Sequence, residues 1–183
     1  AVKIKPDKDE AFYNWGIALD AWASTKSGSE AGELFKQAGE KFTEAVRIKP
    51  DQDEAFNNWG SALTALASTK SGSEADELFK QAGEKYAEAV KIKPDKHEAF
   101  YNWGNALDTW ARTKSGSEAD ELFKQAGEKY AEAVKIKPDK HEAFNNWGIA
   151  LTALARTKSG SEAGELFKQA GEKYAEAVQI KPD

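Results

Sequence analysis

Apolar side chains recur in the first stretch at Phe12, Trp15, Leu19 and Trp22, spaced 3, 4 and 3 residues apart. That is the period of one helix face and not the alternation of a strand. Asp7 and Glu10 stand in a capping arrangement, so a first helix is expected to begin near Lys8. Ser24-Thr-Lys-Ser-Gly-Ser29 interrupts the stripe. Ser27 followed by Glu30 then offers a second capping start for a helix through Leu34, Phe35, Ala38, Phe42, Ala45, Val46 and Ile48, with Pro50 just beyond its end. The pattern predicts a hairpin of two helices, A and B, of roughly 16 to 20 residues each, joined by a short turn.

The hairpin recurs. Prolines stand at Pro6, Pro50, Pro94, Pro138 and Pro182, 44 residues apart, and Trp15, Trp59, Trp103 and Trp147 keep the same step. Four units follow, approximately 6–49, 50–93, 94–137 and 138–181, read here as a single domain over 1–183. Residues 1–5 read as the remnant of a preceding helix B, because Ala1 to Asp7 repeats Ala89 to Asp95 letter for letter. Repeats of this length mark solenoids, in which each unit buries its apolar face against its neighbours. Trp22 and Trp110 alternate with Leu66 and Leu154, so the array is built of two 88-residue pairs. Trp22 lies on the apolar stripe and is expected in the core.

Phe12, Trp15-Gly16, Leu19, Ala38, Phe42 and Pro50 together resemble the tetratricopeptide repeat (TPR), and the likeness covers the whole chain. Trp15 stands where the family has Leu, Leu19 where it has Tyr, and the unit exceeds the usual length of about 34 by about ten residues at the hairpin tip. The units resemble the long-helix arrays of bacteria, or a consensus built from them. The resemblance implies an all-α fold, an α-solenoid of four helix-turn-helix repeats in a right-handed superhelix. It also implies that Gly16, Gly60, Gly104 and Gly148 let the two helices of a hairpin approach closely. For Gly39, Gly83, Gly127 and Gly171 the reading is contact with a neighbouring unit.

Composition narrows the function. With 26 basic and 31 acidic residues interspersed along the chain, there is no basic stripe for nucleic acid. No apolar run spans a bilayer, so no membrane partner is expected and the chain reads as soluble and cytoplasmic. Cysteine is absent and the two histidines, His97 and His141, are 44 residues apart at helix starts, where they read as solvated. No phosphate loop, metal cluster or nucleophile–base pair is legible; no cofactor and no enzyme activity are expected. Methionine is missing throughout, which suits a processed chain, an excised fragment or a designed sequence.

Recognition of a protein or peptide is the remaining activity. The resemblance places the A helices along a concave groove, faced in the first unit by Glu10, Tyr13, Asn14, Ile17 and Asp20, with Ala21 beside them. Their equivalents are Glu54, Asn57, Asn58, Ser61 and Thr64; Glu98, Tyr101, Asn102, Asn105 and Asp108; and Glu142, Asn145, Asn146, Ile149 and Thr152. Differences among near-identical units concentrate on this stripe, either because it meets a specific partner or because packing leaves it free. The four asparagines that follow Tyr13 and its equivalents could bond a ligand backbone or hold neighbouring helices in register. Carboxylates where a clamp would need cations favour a neutral or basic extended peptide, or a helix. The alternative is a designed or structural module without a ligand, self-associating end to end into a homo-oligomer through Leu166, Phe167 and Tyr174.

Overall fold

The computed structural model describes residues 8–181, and the expected helix remnant at 1–5, the capping Asp7 and Pro182 lie outside the described residues. The fold is all-α. Its described residues form eight helices: α1 (Lys8–Ala23), α2 (Gly28–Ile48), α3 (Asp53–Ser68), α4 (Gly72–Ile92), α5 (His97–Ala111), α6 (Gly116–Ile136), α7 (His141–Ala155) and α8 (Gly160–Ile180). They make four hairpins of the TPR-like solenoid type. The chain divides into two compact units, Ala1–Pro94 and Asp95–Asp183. In the first, α1 packs on α2, α2 on α3 and α3 on α4; in the second, α5, α6, α7 and α8 follow the same order.

The A helices have 15 or 16 residues and the B helices 21, so the additional length of the repeat goes mainly into helix B. The tip is short because the chain reverses through a left-handed glycine: φ is +59° at Gly28 and between +59° and +61° at Gly72, Gly116 and Gly160. Nothing lies within 4 Å of a Cβ built there, so glycine is required by the backbone and not by crowding. Ser27 has the extended backbone of an N-cap, yet its side chain makes no cap hydrogen bond, which overturns the expected Ser27–Glu30 capping box. Glu30 is instead taken by Lys26 at 2.8 Å, and Lys70–Glu74 and Lys114–Glu118 repeat this pairing.

Each hairpin closes on a ring laid against a glycine. A Cβ at Gly16 would stand 2.6 Å from Phe42, at Gly60 2.8 Å from Tyr86, and at Gly104 2.6 Å from Tyr130. All three rings are fully buried. Burial of such a ring is worth about 2–3 kcal/mol, which outweighs the roughly 1 kcal/mol that a helical glycine costs. Two of the helix B glycines receive the next hairpin: Trp59 Nε1 lies 3.4 Å from a Cβ built at Gly39, and Trp147 Nε1 3.1 Å from one at Gly127, whereas nothing lies within 4 Å of one at Gly171, which does not meet the expected neighbour contact. A lysine of the same hairpin covers the outer face of each tryptophan, Lys41 over Trp15 at 4.1 Å and Lys85 over Trp59 at 4.2 Å.

The expectation for Trp22 is wrong. Trp22 and Trp15 are each 53% exposed. The equivalents in α3 show why: Trp59 is covered by α2 at Gly39, and Leu66 approaches Gly32 of the same helix. In α3 the outer stripe is buried by the preceding helix B, and no described helix lies on that side of α1. Trp110 is partly buried against the cluster of Leu107, Phe123 and Tyr130.

Candidate functional site

In the first unit the expected recognition stripe is partly consumed by its own hydrogen bonds. Asn58 Nδ2 donates to the Tyr13 hydroxyl at 3.2 Å and Asn57 Nδ2 to Asn58 Oδ1 at 3.0 Å. Asn57 is only 7% exposed, so the reading of it as a groove residue is corrected: its amide supports the helix contact. Ser61 Oγ lies 3.2 Å from the Tyr86 hydroxyl, and Thr64 Oγ1 donates to the Gly60 carbonyl at 2.9 Å. Glu10, Asn14, Ile17 and Glu54 are exposed; Tyr13 and Asp20 are half-buried. Burial raises the pKa of Asp20 above the usual carboxylate value.

In the second unit the network is denser. Asn146 Nδ2 donates to the Tyr101 hydroxyl at 3.1 Å and to Asn105 Oδ1 at 3.0 Å, and the Tyr130 hydroxyl donates to Asn105 Oδ1 at 2.9 Å. Burial pushes the Tyr130 phenol well above its ordinary value, so it stays a hydrogen-bond donor. Asp108 is engaged by Arg112, and Thr152 Oγ1 donates to the Gly148 carbonyl at 2.8 Å. Asn102 is half-buried, while Glu98, Glu142, Asn145 and Ile149 are exposed.

A cleft of about 460 Å³ opens on this stripe, lined by Tyr101, Glu142, Asn145 and Asn146 together with His141 and Tyr174. The first four are expected recognition residues; His141 is not. His141 Nδ1 lies 2.7 Å from Glu142 and is three-quarters covered, as His97 is more than four-fifths covered, so neither histidine is freely solvated. Each sits at the start of an A helix, and His97 feels the charges of Lys137, Asp139 and Lys140 in the turn before the next A helix. The Glu142 carboxyl is held below its ordinary pKa first by a bond from its own backbone amide, then by Lys140 and His141. Lys140 also stands 5.0 Å from the Tyr101 ring centre. The cleft thus offers an aromatic wall, amides of either polarity and charges of both signs.

Of the three residues expected to mediate self-association, only Phe167 is exposed, at 47%. Leu166 packs on the cluster around Tyr130, and the Tyr174 ring is laid against Gly148, 2.7 Å from a Cβ built there. Both belong to the inside of their hairpin. Val178, 63% exposed, was not legible as part of this face.

A larger cavity, about 900 Å³, lies in the first unit between α2 and α4, with Trp59, Leu63 and Leu66 of α3 as its floor and Phe35 and Leu78 on its walls. Periodicity assigns these side chains to the core and gives no sign that a gap is left over them. One signal was present: Gly32 stands where Asp120 stands in the third repeat. Asp120 accepts from Thr157 Oγ1 at 2.6 Å and Lys158 Nζ at 2.5 Å, drawing α6 and the end of α7 together, whereas Gly32 lines the open mouth.

A family model described as plant-specific mitochondrial import receptor subunit TOM20 matches residues 49–140 and again 102–183. The chain belongs to that family. Among solved structures, this family member resembles MamA from Desulfovibrio magneticus RS-1 (TM-score 0.67, 17% identity, covering 97% of this chain and 78% of that one). A second MamA crystal structure gives a TM-score of 0.61 at 21% identity, covering 97% and 85%. YrrB, described as a TPR protein with an unusual peptide-binding site, gives 0.57 at 22% identity, covering 94% and 76%. These likenesses show the TPR-repeat fold. No curated protein matches the chain. Among the described residues, no helix is long and apolar enough to cross a membrane.

Proposed function

We propose that the chain is a non-catalytic recognition module that holds a neutral or basic peptide, extended or helical, on the A-helix stripe, in the setting of a mitochondrial import receptor. The observation that carries this reading is the cleft in the second unit, where Tyr101, Glu142, Asn145 and Asn146 converge. Family membership supports it, as does the peptide-binding site for which YrrB is described. Exposed Asn145 and Ile149 supply contact surface without being needed for packing. The test is capture from a peptide library followed by titration of a captured peptide into Glu142→Gln and Asn145→Ala. Both side chains are exposed, so the variants fold; loss of affinity supports the reading, and unchanged affinity in both removes it.

Self-association is the second reading. It is favoured by the exposure of Phe167 and Val178 on α8 and of Trp15 on α1, since in the described interior the tryptophan of an A helix seats on the preceding helix B. Light scattering of the chain and of Phe167→Glu tests it: a concentration-dependent mass that the substitution abolishes supports it, and a strict monomer at high micromolar concentration excludes it.

A further inference from the structure

Asp20 in α1 and Asp108 in α5 hold the same position in the first and third repeats, but the residue four places on differs, Ser24 in one and Arg112 in the other. On Asp108 the guanidinium makes a fork: Arg112 Nε donates to Oδ2 at 2.8 Å and Nη2 to Oδ1 at 3.1 Å. The Arg112 pKa is raised, first by this hydrogen bonding. Such a planar two-point match is the geometry in which arginine binds a carboxylate most strongly. In α1 the place of the fork is vacated. Ser24 turns its hydroxyl back to the Asp20 backbone carbonyl at 3.0 Å, and among the described residues no lysine or arginine pairs with the Asp20 carboxylate.

The surroundings of Asp20 make that vacancy chemically expressive. The side chain is half-buried, and its charge is felt by the Tyr86 hydroxyl, which is itself engaged by Ser61 and Thr64. A carboxylate that has lost part of its water and has no internal cation gains more from an external one than a fully solvated carboxylate does. Exposed Ile17 and Ala21 flank it on the same helix. At the equivalent positions of the second and fourth repeats stand Thr64 and Thr152, which carry no charge. Asp20 is therefore the member of this ladder that combines a charge with a missing partner.

We propose that Asp20 is the receiving point for an arginine side chain of a bound peptide, whose guanidinium takes on Asp20 the place that Arg112 takes on Asp108. The peptide as source rests on the function proposed above; the guanidinium site itself does not. One such point in the stripe fixes the register of a guest that the repeated amides would otherwise accept at several offsets.

The probe is methylguanidinium chloride, titrated into the full chain while side-chain carboxyl carbons are followed by NMR, with sodium chloride at equal ionic strength as the reference. A saturable shift at Asp20 that is absent at Asp108, and that Ser24→Arg abolishes by supplying the internal fork, is the expected result. A response at Asp20 no larger than at exposed Glu54, or one that Ser24→Arg leaves intact, overturns the proposal. In a second arm, a captured peptide is compared with its citrulline analogue, which keeps the shape and loses the charge. The wild-type chain should prefer arginine by about tenfold or more, as for other charge-assisted hydrogen bonds, and Ser24→Arg should not. Peptides that bind without this preference remove the inference and leave the peptide reading standing. A methylguanidinium response at Asp20 in a chain that captures no peptide does the reverse.

Discussion

Asn146 in α7 donates through Nδ2 to the hydroxyl of Tyr101 in α5, 3.1 Å away and 45 residues earlier, and Asn58 repeats the bond to Tyr13 at 3.2 Å. The repeated asparagine thus acts as a register pin between successive A helices, while Asn145 and Glu142 stay exposed on the same stripe. Tyr101→Phe removes the acceptor but leaves Asn146 its bond to Asn105, so a loss of about 1 kcal/mol is expected. Asn146→Ala removes both bonds and should cost about 1–2 kcal/mol. Urea unfolding of the two single variants and the double variant measures the coupling; strict additivity would mean that the bond contributes nothing.

Glycines of one residue type separate into two behaviours. Gly104→Ala drives a methyl group to 2.6 Å from the Tyr130 ring, which is fully buried and has nowhere to go. The gain in helix propensity, about 1 kcal/mol, is then outweighed, and a net loss of about 1–3 kcal/mol is expected. Nothing lies within 4 Å of a Cβ at Gly171, so Gly171→Ala should stabilise the chain by up to about 1 kcal/mol. Thermal unfolding distinguishes them; equal shifts of the same sign would refute the packing account.

Which parts of this were legible follows from what periodicity encodes. The spacing of Phe12, Trp15 and Leu19 identifies an apolar helix face, and the glycine opposite Phe42 marks where two helices meet, so helix type, order and hairpin pairing came through. Periodicity does not say which neighbour covers a face. That is why Trp22 reads as core although no described helix lies on its side of α1, and why half-buried Leu166 and Tyr174 read together with exposed Phe167 as one face. Nor does it weigh rival pairings: Lys26 holds the Glu30 carboxylate that a capping box would turn back to the Ser27 backbone N–H, and the Ser27 side chain makes no cap bond of its own. Asn57 faces the stripe by spacing, yet its burial depends on how close α1 and α3 come. The cavity over Trp59 opens beside Gly32, where the third repeat carries Asp120, and apolar spacing is silent on such a small residue.

Acid should weaken the second unit through Asp120. Hydrogen bonds from Lys158 and then Thr157 hold its pKa below the ordinary carboxylate value. A group depressed in the folded state contributes stability that is complete above its unfolded pKa, near 3.9, and is lost as pH falls through the folded value. The stability gap between wild type and Asp120→Asn is therefore expected to be largest near neutrality and to close below about pH 4. Urea midpoints of both proteins at pH 3 and pH 7 check this; a gap independent of pH would sink it.

His97 works in the opposite range. Its side chain is only 16% exposed, and burial lowers its pKa despite Glu98 at 3.1 Å. The unfolded chain takes up a proton near pH 6.5, before the folded chain does, so stability falls with pH between that value and the lowered folded one and then levels off. NMR titration of the two imidazoles should show His97 titrating below 6.5, and His97→Gln should flatten stability across that window. A His97 titration at or above 6.5 would contradict the assignment.

Gly32→Asp should close the cavity of the first unit. A Cβ at Gly32 stands 3.1 Å from Thr69 Oγ1, a contact the flexible hydroxyl can relieve, and a carboxylate there is placed to bond Thr69 and Lys70 as Asp120 bonds Thr157 and Lys158. Lys70 would have to turn from Glu74, now at 2.8 Å, so the exchange of one exposed ion pair for another adds little by itself. Replacing a helical glycine by aspartate, itself a poor helix former, adds only about 0.3 kcal/mol, so little net gain is expected, and Gly32→Ala, with up to about 1 kcal/mol, bounds the propensity part. Closure has its own signature: a fluorescent apolar dye that enters the space over Trp59, Leu63 and Leu66 should bind wild type and Gly32→Ala alike and Gly32→Asp less. Equal dye binding by all three would show that residue 32 does not control the mouth, and the contrast drawn between Gly32 and Asp120 would fall with it.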